Sequence, residues 1–238
     1  MGLIRIWSPF GNLLCMQYLF LILAVILSFG FVAIVKPKKT LGLQLLLAFS
    51  GAFLLALTIF DLLPEAYTAS DPRSMGIFIM IGIVLQIFLE FFSKGAEHGH
   101  MHWDNQKKGF PWLLFISLSI HSFMEGLPLT STSPILYGIL IHKIPIALIL
   151  SMFLLNSNLK TSSSVVFILL FSLMTPFGSF LANHMEFITT YKAPITAIVI
   201  GILLHISSVI LFESSQGHTF NLRKLIVIFL GIIMAYFI

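Results

Sequence analysis

His121 and Glu125 lie one helical turn apart in an apolar stretch, FISLSIHSFMEGLPLT, and a second stretch, YGILIHKIPIALIL, carries His142 close behind. An imidazole and a carboxylate at positions i and i+4 share one face of a helix, about 6 Å apart along its axis. In a helix that spans a membrane both groups are costly, and such groups by default mark a route for a substrate or ion. Neutral imidazole with carboxylate suits borderline divalent ions, zinc first, with iron, cobalt, manganese or cadmium behind it. No thiolate joins them, so the site is not a tight, closed one, which fits an ion that must leave as well as enter. A proton relay would use the same residue types, and a plain hydrogen bond between helices would use the same pair.

Both histidine stretches contain a proline. Pro128 follows Glu125-Gly126-Leu127, lacks a backbone donor and crowds the carbonyl of Met124. Pro145 likewise frees the carbonyl of Ile141, next to His142. Loosened backbone beside an ionisable group is the pattern of the broken helices that line transporter cavities.

The elements that must hold these residues are membrane helices. Hydrophobic residues make up 58% of the 238, charged residues only 9%, and the mean hydropathy is +1.03. That is too apolar to cover the surface of a soluble domain. Apolar runs, each long enough for ~30 Å of hydrocarbon, cover residues 13–35, 41–63, 75–93, 111–130, 133–155, 163–182, 194–213 and 222–238. The expectation is an all-α integral membrane protein of eight transmembrane helices, in one domain over 1–238. Barrel-type alternation is absent. The first run is too long for a signal-peptide core and precedes KPKK, not a small-residue cleavage site, so it reads as a span. One cysteine, Cys15, rules out an intrachain disulfide. The net charge of +4 needs no nucleic-acid partner, and no glycine loop for nucleotide phosphates occurs. No catalytic cofactor is expected, and the chain does not read as an enzyme.

Basic residues orient the spans. Lys36, Lys38, Lys39, Lys94, Lys107, Lys108, Lys160, Arg223 and Lys224 fall in loops on one side; Arg5, Arg73 and Lys192 fall on the other. The positive-inside rule puts the first set in the cytoplasm and both termini outside. The lipid bilayer is thus a partner, and the compact chain suggests a bacterial inner membrane.

Further candidates surround the central pair. His205, near the middle of the seventh run, is either a third histidine ligand or hydrogen-bonded to a neighbouring helix. Glu90 and Glu213 sit near the inner boundary, as exit-path markers or solvated helix ends. Asp61 and Glu65 flank Pro64 at the outer end of the second run, as an entrance or as loop carboxylates. His98, His100 and His102, in the loop of about 94–110, alternate in EHGHMHWDNQKK and can chelate a divalent ion loosely on the cytoplasmic side.

HSFMEGLPLT is similar to the fourth-helix signature of the ZIP (Zrt/Irt-like) metal transporters, His-Asn-x-x-Glu/Asp-Gly, and HKIPIAL resembles their fifth-helix signature, His-Lys/Glu-x-Pro-Glu/Gln. Asp-Leu-Leu-Pro-Glu at 61–65 is similar to that family's Leu-Pro-x-Ala region. With eight spans, outward termini and a histidine loop after span 3, the resemblance extends over nearly the whole chain. It implies import of divalent metal into the cytoplasm without ATP, through a mid-membrane site on helices 4 and 5. His121, Glu125 and His142 fall on the family's ligand positions. Three residues depart from the pattern. Ser122 replaces the asparagine, a weaker ligand; Lys143 takes a position that is acidic in binuclear members; Ile146 replaces the fifth-helix carboxylate, one turn below His142. An ammonium at 143 can substitute for the charge of a second ion, which makes a single metal the expectation. Divalent metal ions are the expected partners, as transported substrate, and a homodimer is compatible with the sequence. Two other readings remain open: an intramembrane zinc hydrolase with Glu125 as general base, for which no HExxH exists, and a non-transporting protein that keeps the fold.

Overall fold

Lipid offers backbone amides and carbonyls no partner, so apolar runs of this length close their hydrogen bonds internally as helices. The computed structural model describes residues 9–37, 41–93, 95, 110–130, 133–213 and 222–238, and every regular element among them is helical. In chain order these are α1 (Pro9–Val35), α2 (Leu41–Leu57), a π-helical turn (Thr58–Leu62), α3 (Leu63–Ala69), α4 (Pro72–Ser93), α5 (Trp112–Gly126), α6 (Ile135–Asn156), α7 (Thr161–His184), α8 (Glu186–Thr190), α9 (Lys192–Glu213) and α10 (Leu222–Tyr236).

Six helical stretches among the described residues are long and apolar enough to cross a membrane: Leu14–Val35, Leu41–Ala69, Pro72–Ser93, Ile135–Asn156, Thr161–His184 and Lys192–Phe212. The fourth and eighth apolar runs form α5 and α10, 15 residues each. That is about 22 Å of helix, shorter than ~30 Å of hydrocarbon.

Proline placement explains where element bounds depart from the apolar runs. α5 stops at Gly126, two residues before Pro128, and the Met124 carbonyl accepts from Leu127 N–H instead at 3.1 Å. Pro64 has the opposite outcome. The chain passes it by widening into the π-turn, where Leu63 N–H reaches back to the Thr58 carbonyl, so the helical stretch runs on to Ala69. Asp61 lies inside that turn. Pro145 sits within an unbroken α6.

The closest helix pairs are α4 with α9, α2 with α10, α5 with α7 and α1 with α6. Glycines set three of these approaches, and for α2 and α10 it is Gly231, where a Cβ would meet the Phe49 carbonyl. A Cβ on Gly82 would collide with the Ile198 carbonyl, and one on Gly201 with the Ile79 carbonyl, so α4 and α9 touch backbone to backbone. Gly126 and Gly178 do the same for α5 and α7, against the Thr175 and Phe123 carbonyls. Small residues are the usual means of close approach where lipid removes the hydrophobic drive between helices. The main apolar core joins α2, α6 and α9 around Phe53, Leu54, Ile139 and Leu203. Phe88 and Phe91 on α4, Phe177 on α7 and Phe229 on α10 face outward, as lipid-facing side chains do.

Candidate metal centre

α5 and α6 bring the two histidine stretches together. On α5 the buried stripe includes Leu118, His121, Ser122 and Glu125; on α6 it includes His142, Lys143 and Ile146. His121 Nε2 lies 3.1 Å from Glu125 Oε1, the i, i+4 contact expected of one helix face. One ligand atom each from His121, Glu125 and His142 falls within 4.8 Å of the others, and all three residues are buried. Zinc with ligands at ~2.0–2.1 Å needs neighbouring ligand atoms about 3.3 Å apart in a tetrahedron. A modest side-chain adjustment would bring the group onto one ion, with a water to complete four-coordination. His121 Nδ1 is buried without a hydrogen-bond partner among the described residues.

Glu125 divides its two oxygens. Oε1 faces His121, while Oε2 accepts from Lys143 Nζ at 2.8 Å. The same ammonium donates to Ser122 Oγ at 2.9 Å and lies 5.3 Å above the Phe171 ring. The hydroxyls settle their own order. Thr175 gives its one proton to the Ser122 carbonyl at 2.7 Å, so Ser122 donates to Thr175 Oγ1 at 2.9 Å and accepts from Lys143. The chain of donors runs from α6 through α5 to α7, and the glycine contact at Gly126 and Gly178 makes it short enough. Lys143 thus occupies the space beside Glu125 that a second cation would need.

Ile146 is buried with Ile202 and Ile206 of α9. The place of a fifth-helix carboxylate is an apolar seal. His205 is not in the group of three. Its Nε2 meets Glu90 Oε2 at 2.7 Å, a half-buried pair between α9 and α4. At the other end of the bundle Asp61 is half-buried in the π-turn, and Glu65 accepts from Lys192 Nζ at 3.1 Å on the surface. Glu213 ends α9. His98, His100 and His102 lie outside the described residues.

Thr175 and Gln86 were not singled out in the sequence. Thr175 precedes Pro176 in α7 and reads there as a packing residue. Gln86 is an amide in the apolar run of α4, one turn before Glu90, and that isolation is the signal that would have found it.

A family model described as ZIP Zinc transporter matches residues 105–238, which is more than half of the chain. Protein zntD of Dictyostelium discoideum is 33% identical over 150 residues, covering 54% of this chain and 22% of that protein. Zinc transporter ZIP1 of Danio rerio is 33% identical over 89 residues, covering 35% of this chain and 30% of that protein. The matched part thus spans less than a third of either curated relative.

Proposed function

The chain belongs to the ZIP zinc transporter family, and on that premise we propose that it carries divalent transition-metal ions, zinc first, across a membrane into the cytoplasm without ATP. It is a multi-pass membrane protein. We infer eight crossings, with the short α5 and α10 completing the six longer stretches and both termini outside. Two contacts support that topology. Glu65 and Lys192, assigned to the outer side, meet at 3.1 Å, and Lys224 donates to the Leu211 carbonyl at the inner side.

The single observation that carries the reading is the buried convergence of His121, Glu125 and His142. A hydrated ion enters past Asp61 and Glu65, whose charge collects cations. It exchanges waters for the two imidazoles and Glu125 Oε1. Lys143 stays on Oε2, so the site holds one metal and Glu125 is a one-oxygen ligand. Protons compete with the ion for the same lone pairs, because metal ligands bind deprotonated. The ion then leaves past Glu90 and His205 toward Glu213 and the loop histidines His98, His100 and His102.

Zinc uptake into proteoliposomes tests this. Native protein should take up zinc, and Glu125→Ala and His142→Ala should each abolish it. Uptake that survives both substitutions removes the proposed route. Absence of uptake by the native chain, in vesicles where a related carrier works, favours the non-transporting scaffold. Lys143 on Glu125 and Ile146 in the carboxylate's place are the observations on that side.

A further inference from the structure

Gln86 is fully buried in α4, and neither its amide nitrogen nor its carbonyl oxygen has a hydrogen-bond partner among the described residues. An amide moved from water into such a place without compensation is destabilising, so packing alone gives no reason for glutamine here. Leucine would fill the same space with no polar atom to desolvate.

Its position is defined by contacts on either side. One turn toward the outer end, Gly82 touches the α9 backbone at Ile198 and Gly201. One turn toward the inner end, the Leu89 carbonyl accepts from Ser117 Oγ of α5. α4 packs chiefly on α9 and α5, so the carboxamide lies in the wedge between those helices. On α5, which runs opposite to α4, the residue one turn outward from Ser117 is His121. On α9, the residue one turn inward from Gly201 is His205, bonded to Glu90, which is itself one turn inward from Gln86. Leu85, Met124, Ile146 and Ile202 pack together at this level, so the wedge is otherwise apolar.

We propose that Gln86 is a transit ligand: its carbonyl oxygen takes the metal ion, or one of its waters, between the His121–Glu125–His142 group and the Glu90–His205 pair. The inference rests on the carrier reading above. An uncharged amide oxygen is a weak ligand for zinc beside imidazole and carboxylate. Weak binding is what a step between two stronger sites requires, since an ion held too well does not leave. The missing hydrogen-bond partner of the resting amide is then the ion in passage.

The test is Gln86→Leu in the full chain, read three ways: zinc uptake in proteoliposomes, zinc affinity of the purified protein by titration, and thermal unfolding. Uptake should fall by about 10- to 100-fold, with affinity unchanged and the unfolding midpoint held or raised. Native uptake that Gln86→Leu leaves intact overturns the inference alone. A fall in uptake that tracks a lowered midpoint overturns it too, in favour of a structural amide. No uptake by the native chain overturns the carrier reading and this inference with it.

Discussion

Lys143–Glu125 and Lys192–Glu65 are the same chemical pair in two solvents. Their separations are close, 2.8 and 3.1 Å, but their side chains are 5% and 1% exposed in the first case, 51% and 57% in the second. Water screens the outer pair and already solvates each charge, so little depends on their meeting. At the centre both charges have left water, at a cost of several kcal/mol per ion that only good geometry offsets. Ser122, Thr175 and the Phe171 ring supply that geometry. Burial, not the pairing, separates a group that holds the central cluster together from one that adds little at the surface.

Four substitutions break or sharpen this contrast. Lys143→Met strands a buried carboxylate and should lower stability by about 3–5 kcal/mol, measured by denaturant unfolding in detergent. Adding Glu125→Gln should recover most of the loss, and non-additivity in that double-mutant cycle reports the pair directly. Thr175→Val keeps the shape but removes the partner of the Ser122 carbonyl and hydroxyl, for a loss of about 1–3 kcal/mol by the same assay. Lys192→Ala at the surface should cost about 0–1 kcal/mol and less still in high salt. If it rivals Lys143→Met, burial is not the deciding variable.

The smallest effect is expected at Asp71, the exposed N-cap of α4. Ser74 N–H and hydroxyl donate to its carboxylate at 2.9 and 2.8 Å and hold its pKa below the usual carboxylate range. The folded value is the lower one, so the cap's contribution is complete above the ordinary value of about 3.9 and is lost as pH falls through the lowered one. Protection of the Ser74 and Met75 amides, taken relative to their intrinsic exchange rates, should fall on acidification below that range and stay unchanged in Asp71→Ala.

The convergence of His121, Glu125 and His142 was largely legible in the sequence because its information is local. His121 and Glu125 share a face by helix period alone, and His142 with Lys143 repeats the pattern one span later. The sequence offered Lys143 as a charge in place of a second ion, but its bond to Glu125 at 2.8 Å is visible only in the structure. Helix bounds were legible wherever a proline ends a run, as at Gly126, but not where the chain absorbs it. Pro64 yields a π-turn, and nothing in residues 58–62 distinguishes that from a stop. Contacts across the bundle were hidden. Thr175 meets Ser122 only because Gly126 and Gly178 let two backbones touch, and glycine in an apolar run carries no record of its partner. The bond between His205 and Glu90 arises from the Gly82–Gly201 crossing in the same way. The sequence left open whether that histidine is a ligand or bonded to a neighbouring helix; the structure pairs it with Glu90.

The most direct test of a one-metal centre is zinc stoichiometry on purified full-length protein, comparing the native chain with the His121→Ala/His142→Ala double variant so that zinc on the histidine loop cancels. A difference of one zinc per chain is the predicted result. A difference of two would mean that Lys143 yields its place beside Glu125 to a second ion, and no difference would mean that His121, Glu125 and His142 do not form the metal site.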